Sequence, residues 1–72
     1  MPHKNIRYRN HALRRRFERD ITDEEIVKTL NEPDYTLSTI KDRKIAVKRI
    51  NEKVVKVVFK EEKTYINIIT VY

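Results

Sequence analysis

The chain contains no glycine and no cysteine, two prolines, and no apolar run near the length of a membrane span. Without cysteine there is no disulfide and no thiolate metal site to brace so short a chain. Without glycine there is no loop of the kind that wraps backbone N–H groups around a phosphate. The same lack leaves tight hairpins without the residue they prefer. A bilayer-spanning helix needs roughly 20 apolar residues, and nothing here approaches that. The basic stretch from Met1 to Asn10 lacks the apolar core of a secretion signal. A soluble, cytoplasmic protein is the expectation. With 72 residues, it should form one domain around one core, residues 1–72.

What the chain does have is charge, at 39% of residues, with a formal net of +6. Its distribution is uneven. Residues 1–19 hold seven Lys or Arg against Glu18 alone, and residues 20–34 hold six acids against Lys28. Residues 35–72 hold nine bases against four acids. A basic end and a basic C-terminal half point to a polyanionic partner such as nucleic acid. The plainer reading is a solvated surface rich in Lys and Glu.

Secondary structure is legible in the periods. Ile6 to Arg9 suits a short strand, and Asn10 is a candidate N-cap for a helix to about Arg19. In that helix Leu13 and Phe17 form a narrow apolar stripe, with His11, Arg14, Arg15, Glu18 and Arg19 on the broad opposite arc. Thr22 and Glu25 form a capping box for a second helix, and Ile21 and Ile26 a hydrophobic staple. Pro33 ends that helix near Asn31. Beyond it the period becomes two: 43–50, 53–60 and 64–72 read as strands, with a shorter one at 35–39. Val55, Val57 and Phe59 alternate with Lys56, Val58 and Lys60. The fold class is therefore α+β: two N-terminal helices packed on one face of a three- to four-stranded antiparallel sheet.

Candidate chemistry begins on the first helix. His11, Arg15 and Arg19 stand at i, i+4 and i+8 and should line one side of it. Guanidinium forks hold a phosphodiester well, and an adjacent imidazole can move a proton near neutral pH. The competing reading pairs Arg15 or Arg19 with an acid of the second helix, and leaves His11 half-buried. Arg14 extends the cationic patch, and Arg16 reads as a plain surface charge. Arg7 and Arg9 on the first strand and Lys48 on a later one are further candidates for nucleic-acid contact. Arg49 continues the face of Ile45 and Val47 and should rim a cleft. Tyr72 and Thr70 share a face with Ile66 and Ile68, so the phenol either fills core space or reaches that cleft. His3 and His11 offer no recognisable metal spacing, and no cofactor is expected.

The run from His11 to Ile26, with Pro33 and the final Thr70-Val71-Tyr72, resembles the domain-of-unknown-function family 4258. The matching positions are His11, Arg15, Arg19, Ile21, Thr22 and Pro33, while Asp20 stands where the family usually has glycine. That family is similar to RelE/ParE- and BrnT-like toxins. The resemblance implies a RelE-like fold and a metal-independent endoribonuclease of a toxin-antitoxin pair. It casts His11 as proton carrier, Arg15, Arg19 and Arg49 as phosphate holders, and Tyr72 as auxiliary acid. It also implies RNA or the ribosome as the target and an acidic antitoxin as partner. A non-catalytic nucleic-acid-binding module and a protein-binding regulator are the alternatives, and a homodimer would help so small a core.

Overall fold

The computed structural model describes residues 5–39 and 41–72. His3 lies outside them. Seven elements follow in the order β1 (Asn5–Tyr8), α1 (Asn10–Glu18), α2 (Asp23–Asn31), β2 (Tyr35–Ser38), β3 (Arg43–Ile50), β4 (Lys53–Glu61) and β5 (Tyr65–Val71). The strands form one sheet in the order β1-β5-β4-β3-β2. The chain leaves β1 at one edge and crosses the sheet through both helices to β2 at the other edge. It then returns strand by strand until β5 meets β1. That last pairing is parallel, and the other three are antiparallel. The sheet is thus five-stranded and mixed, where three or four antiparallel strands were expected. The short β1 is the difference: the helical crossover brings it in beside β5 in the parallel sense.

Both helices cover the same side of the sheet, α1 over β5 and β1, α2 over β4 and β3. The core beneath them is Ala12, Ile21, Ile26, Ala46, Val55, Val57, Phe59, Ile68 and Val71. Val55, Val57 and Phe59 supply the centre because β4 alternates and is flanked on both sides. Its register against β3 sets Val57 opposite Ala46 and Val55 opposite Lys48. The core side of β3 therefore carries Ala46, and the more apolar set Ile45 and Val47 faces away from the helices.

The second helix begins as its sequence dictates. The Thr22 hydroxyl accepts from the Glu25 N–H at 3.1 Å, and a Glu25 carboxylate oxygen accepts from the Thr22 N–H at 2.9 Å. Ile21 and Ile26, the staple pair, are both buried. Such a cap contributes about 1 kcal/mol.

The first helix differs from expectation in two ways. Its N-cap residue is Arg9, with no side-chain cap bond, and Asn10 is already helical. Its inward residue is Ala12, fully buried, while Leu13 is 46% and Phe17 88% exposed. The small methyl lets the helix axis approach β5 closely, and this turns the apolar stripe outward. The helix ends in a Schellman arrangement: Ile21 N–H donates to the Arg16 carbonyl and Asp20 N–H to that of Phe17. Asp20 takes φ 56° there, the left-handed region that favours glycine. Lys41, Asp42 and Asn51 also have φ near 60°, so in a chain without glycine Asp, Asn and Lys fill the left-handed turn positions.

Candidate nucleic-acid interface

Registers assign every strand side chain to the helix side or the open side, because directly paired residues share a face. Pairing Val57 with Ala46 and Val71, all core residues, defines the helix side. The open side then carries three rows that run across the strands. One is Tyr35, Val47, Lys56 and Tyr72; the next is Leu37, Ile45, Val58 and Thr70; the third is Arg43, Lys60, Asn67 and Arg7. Arg49 and Val54 form a pair beyond the first row.

A β-bulge decides the place of Tyr72. The β4–β5 register shifts between Val58 and Phe59, so Phe59 faces Ile68 while Val58 faces Thr70. One extra residue changes the parity of β5. Ile66 and Ile68 remain on the helix side, but Thr70 and Tyr72 emerge on the open side. The expected common face of these four is therefore divided. Tyr72 is 40% exposed, tied by its backbone to Lys56 in both directions, and the Lys56 ammonium lies 5.5 Å from its ring centre.

The charges divide along the same line. Among the described residues, the open side holds the strand cations Arg7, Arg43, Arg49, Lys56 and Lys60 and no strand acid, and Lys60 stands 3.7 Å from Glu62 just beyond the end of β4. Glu61, the one acid within a strand, pairs with Ile66 and lies on the helix side. On the covered side Lys44 is exposed, and the other two strand cations are tied. Lys53 donates to Glu25 at 2.9 Å and to the Asp20 carbonyl at 2.5 Å. Lys48 donates to the Glu32 carbonyl at 2.8 Å and stands 3.7 Å from Asp34. Lys48, expected to contact nucleic acid, thus braces the end of α2 against β3. Its neighbour Arg49 is exposed on the other face, its backbone N–H bonded to Asp34 and its Nε 3.4 Å from the Asn51 carbonyl.

Arg16 is more than a surface charge. Its guanidinium pairs with Asp23 and lies 5.5 Å from the Tyr8 ring centre. Tyr8 donates its hydroxyl to the same Asp23 oxygen at 2.8 Å. Burial first, and then the hydrogen bond to the Asp23 carboxylate, push the Tyr8 phenol up to about 12. The link expected between the two helices exists, but Arg16 makes it. Among the described residues no acid is paired with Arg15 or Arg19.

Of the candidates on α1, His11 and Arg14 are exposed, Arg15 is half-buried, and Arg19 follows the helix as its exposed C-cap. Arg9 is exposed at the helix start, and Arg7 lies on the open side with its guanidinium 4.4 Å from the Tyr65 ring centre. The structure thus keeps His11 and Arg15 in the helix layer and puts Arg49 and Tyr72 on the opposite face of the sheet. The four are not one cluster. Arg49 and Tyr72 instead join Lys56, and with Arg43, Lys60, Tyr35 and Tyr65 they form the open face. These last four and Lys56 are not among the residues the sequence marks as site candidates. Their signal was the alternation of Lys56 and Lys60 with the apolar residues of β4, but only the register adds Arg43 and Tyr35.

A small α+β domain with one side of its sheet sealed by helices and the other open and cationic is the class these features define. The chain belongs to the family described as a domain of unknown function, DUF4258, whose model matches residues 8–72. No curated protein and no solved structure matches the chain. Among the described residues, no helix is long and apolar enough to cross a membrane. Among them also, no group of three or more His, Cys, Asp or Glu could hold a metal ion.

Proposed function

We propose that this domain binds RNA by its phosphates, through the open side of the sheet. One observation carries the reading: Arg7, Arg43, Arg49, Lys56 and Lys60 share that side, and no strand acid accompanies them. Five cations gathered on one face, Lys60 with the Glu62 carboxylate at 3.7 Å, repel one another and are stabilised by a polyanion that displaces its own counterions on binding. Each phosphate contact should lower log K by about 0.7 per decade of salt on a single strand. Filter binding of a labelled RNA across a salt series measures this directly. In Arg43→Gln/Lys60→Gln the slope should shrink by about 1.4, whereas Lys48→Gln should leave it unchanged. A salt-independent affinity in the wild type overturns the proposal.

A second reading, cleavage by a toxin-like endoribonuclease with an acidic antitoxin partner, is favoured by one feature of α1. His11 is exposed one turn ahead of the half-buried Arg15. An imidazole there would carry the proton and the guanidinium would hold the phosphate. Expression in cells should arrest growth for the wild type and not for His11→Ala. Equal toxicity of the two would remove His11 from the chemistry.

A further inference from the structure

The open side carries more than charge. Tyr35 is 54% exposed, and Leu37 and Val54 are about as open to solvent. Tyr35 and Tyr72 stand at the two ends of one row, with Val47 and Lys56 between them. Three inter-strand steps of about 4.8 Å put the two rings roughly 14 Å apart, so one base cannot cover both. Arg7 and Tyr65 add a stacked guanidinium and ring at the other end of the face.

Apolar rings held in water lose the stabilisation that burial would give them. A duplex cannot supply that burial. It presents phosphates and groove edges, its base faces are hidden in the stack, and the deep major groove of A-form RNA excludes a flat sheet. An unpaired strand presents bare ring faces and phosphates together, and aromatic side chains interleaved with cations are the surface that fits it.

We infer that the open face of the sheet is a stacking platform for unpaired nucleotides, with bases on Tyr35 and Tyr72 and phosphates on the surrounding Arg and Lys side chains. The inference rests on the proposed phosphate binding and adds the strand state to it. The consequence is selectivity: the domain takes single strands in preference to duplex.

A fluorescein-labelled 12-nucleotide RNA without self-structure, alone and annealed to its complement, tests this by anisotropy at one salt concentration. The single strand should bind at least about tenfold tighter than the duplex. Removing a stacked base contact should weaken binding by about tenfold per ring. Tyr35→Ala/Tyr72→Ala should therefore lose most of that preference with its salt slope unchanged, and Tyr35→Phe/Tyr72→Phe should keep it. Equal wild-type affinity for the two RNAs overturns the platform and leaves phosphate binding standing, and needs no variant. Full single-strand affinity in a folded double-alanine variant overturns it equally. Binding of neither RNA removes phosphate binding and the platform together.

Discussion

The two sides of this sheet are built from the same strands and behave as opposites. On the helix side every apolar residue of β4 is buried and the cations Lys48 and Lys53 are tied to carbonyls and carboxylates. On the open side the cations have no strand acid and aromatic rings stand in solvent. Stability should therefore reside on one side and recognition on the other. A side chain can be tied into the core or offered to a partner, and the pleat assigns alternate residues to each task.

The largest expected effect breaks the comparison if it fails. Ile26→Ala, at a fully buried position, should cost about 2–5 kcal/mol in urea unfolding. Val54→Ala, on the open side and half-exposed, should cost well under about 1.5 kcal/mol. Similar losses for the two would mean that the open face also belongs to a packed core. A smaller effect sharpens the account of how the helix layer is held. Thr22→Ala removes the cap oxygen and should cost about 1 kcal/mol, measured by the same unfolding curves, with the RNA affinity of the folded protein unchanged.

Two pH limbs come next, both on the helix side. The Glu25 carboxyl is held below its ordinary value, first by the Thr22 backbone N–H and then by Lys53. A carboxyl so depressed contributes stability above pH 4.5, the ordinary value, and that contribution is lost as pH falls through the folded value. Tyr8 has the reverse sense. Its phenol, raised from 10.0 to about 12, contributes stability below pH 10 that is lost as pH rises toward 12. Thermal unfolding against pH should show a flatter acid limb in Glu25→Gln and a flatter alkaline limb in Tyr8→Phe. Unchanged limbs would mean that these contacts do not persist in solution. The smallest effect concerns Asp20, whose φ of 56° a glycine adopts without steric cost. Asp20→Gly should raise the unfolding free energy slightly, by less than about 1 kcal/mol, because relief of the left-handed strain is partly offset by the freer unfolded chain.

Much of the scaffold could be read before any coordinates. The capping box at Thr22 and Glu25 and the staple of Ile21 with Ile26 are local, involving residues within one or two turns, and such contacts follow from spacing alone. The alternation in β4 announced a strand with one buried face. The orientation of α1 departs from its pattern, since Leu13 and Phe17 are its apolar residues and yet Ala12 is the one that packs. Which stripe a nine-residue helix buries depends on how close its axis must come to the strands beneath it, and side-chain size there outweighed hydrophobicity. The proposed cluster of His11, Arg15, Arg49 and Tyr72 failed to assemble for a related reason: membership of one face was inferred within segments, and the segments lie on different layers.

Local chemistry in the chain was enough to specify two helices, the cap between them and an alternating C-terminal half, because those features involve neighbours along the backbone. Tertiary structure alone decided that β1 would close the sheet in parallel with β5 and that β3 would turn Ile45 and Val47 outward. It also decided that one bulged residue in β5 would carry Tyr72 to the side of Arg43, Lys56 and Lys60. Strand register is a long-range property, and a shift of one residue exchanges the two faces of everything beyond it.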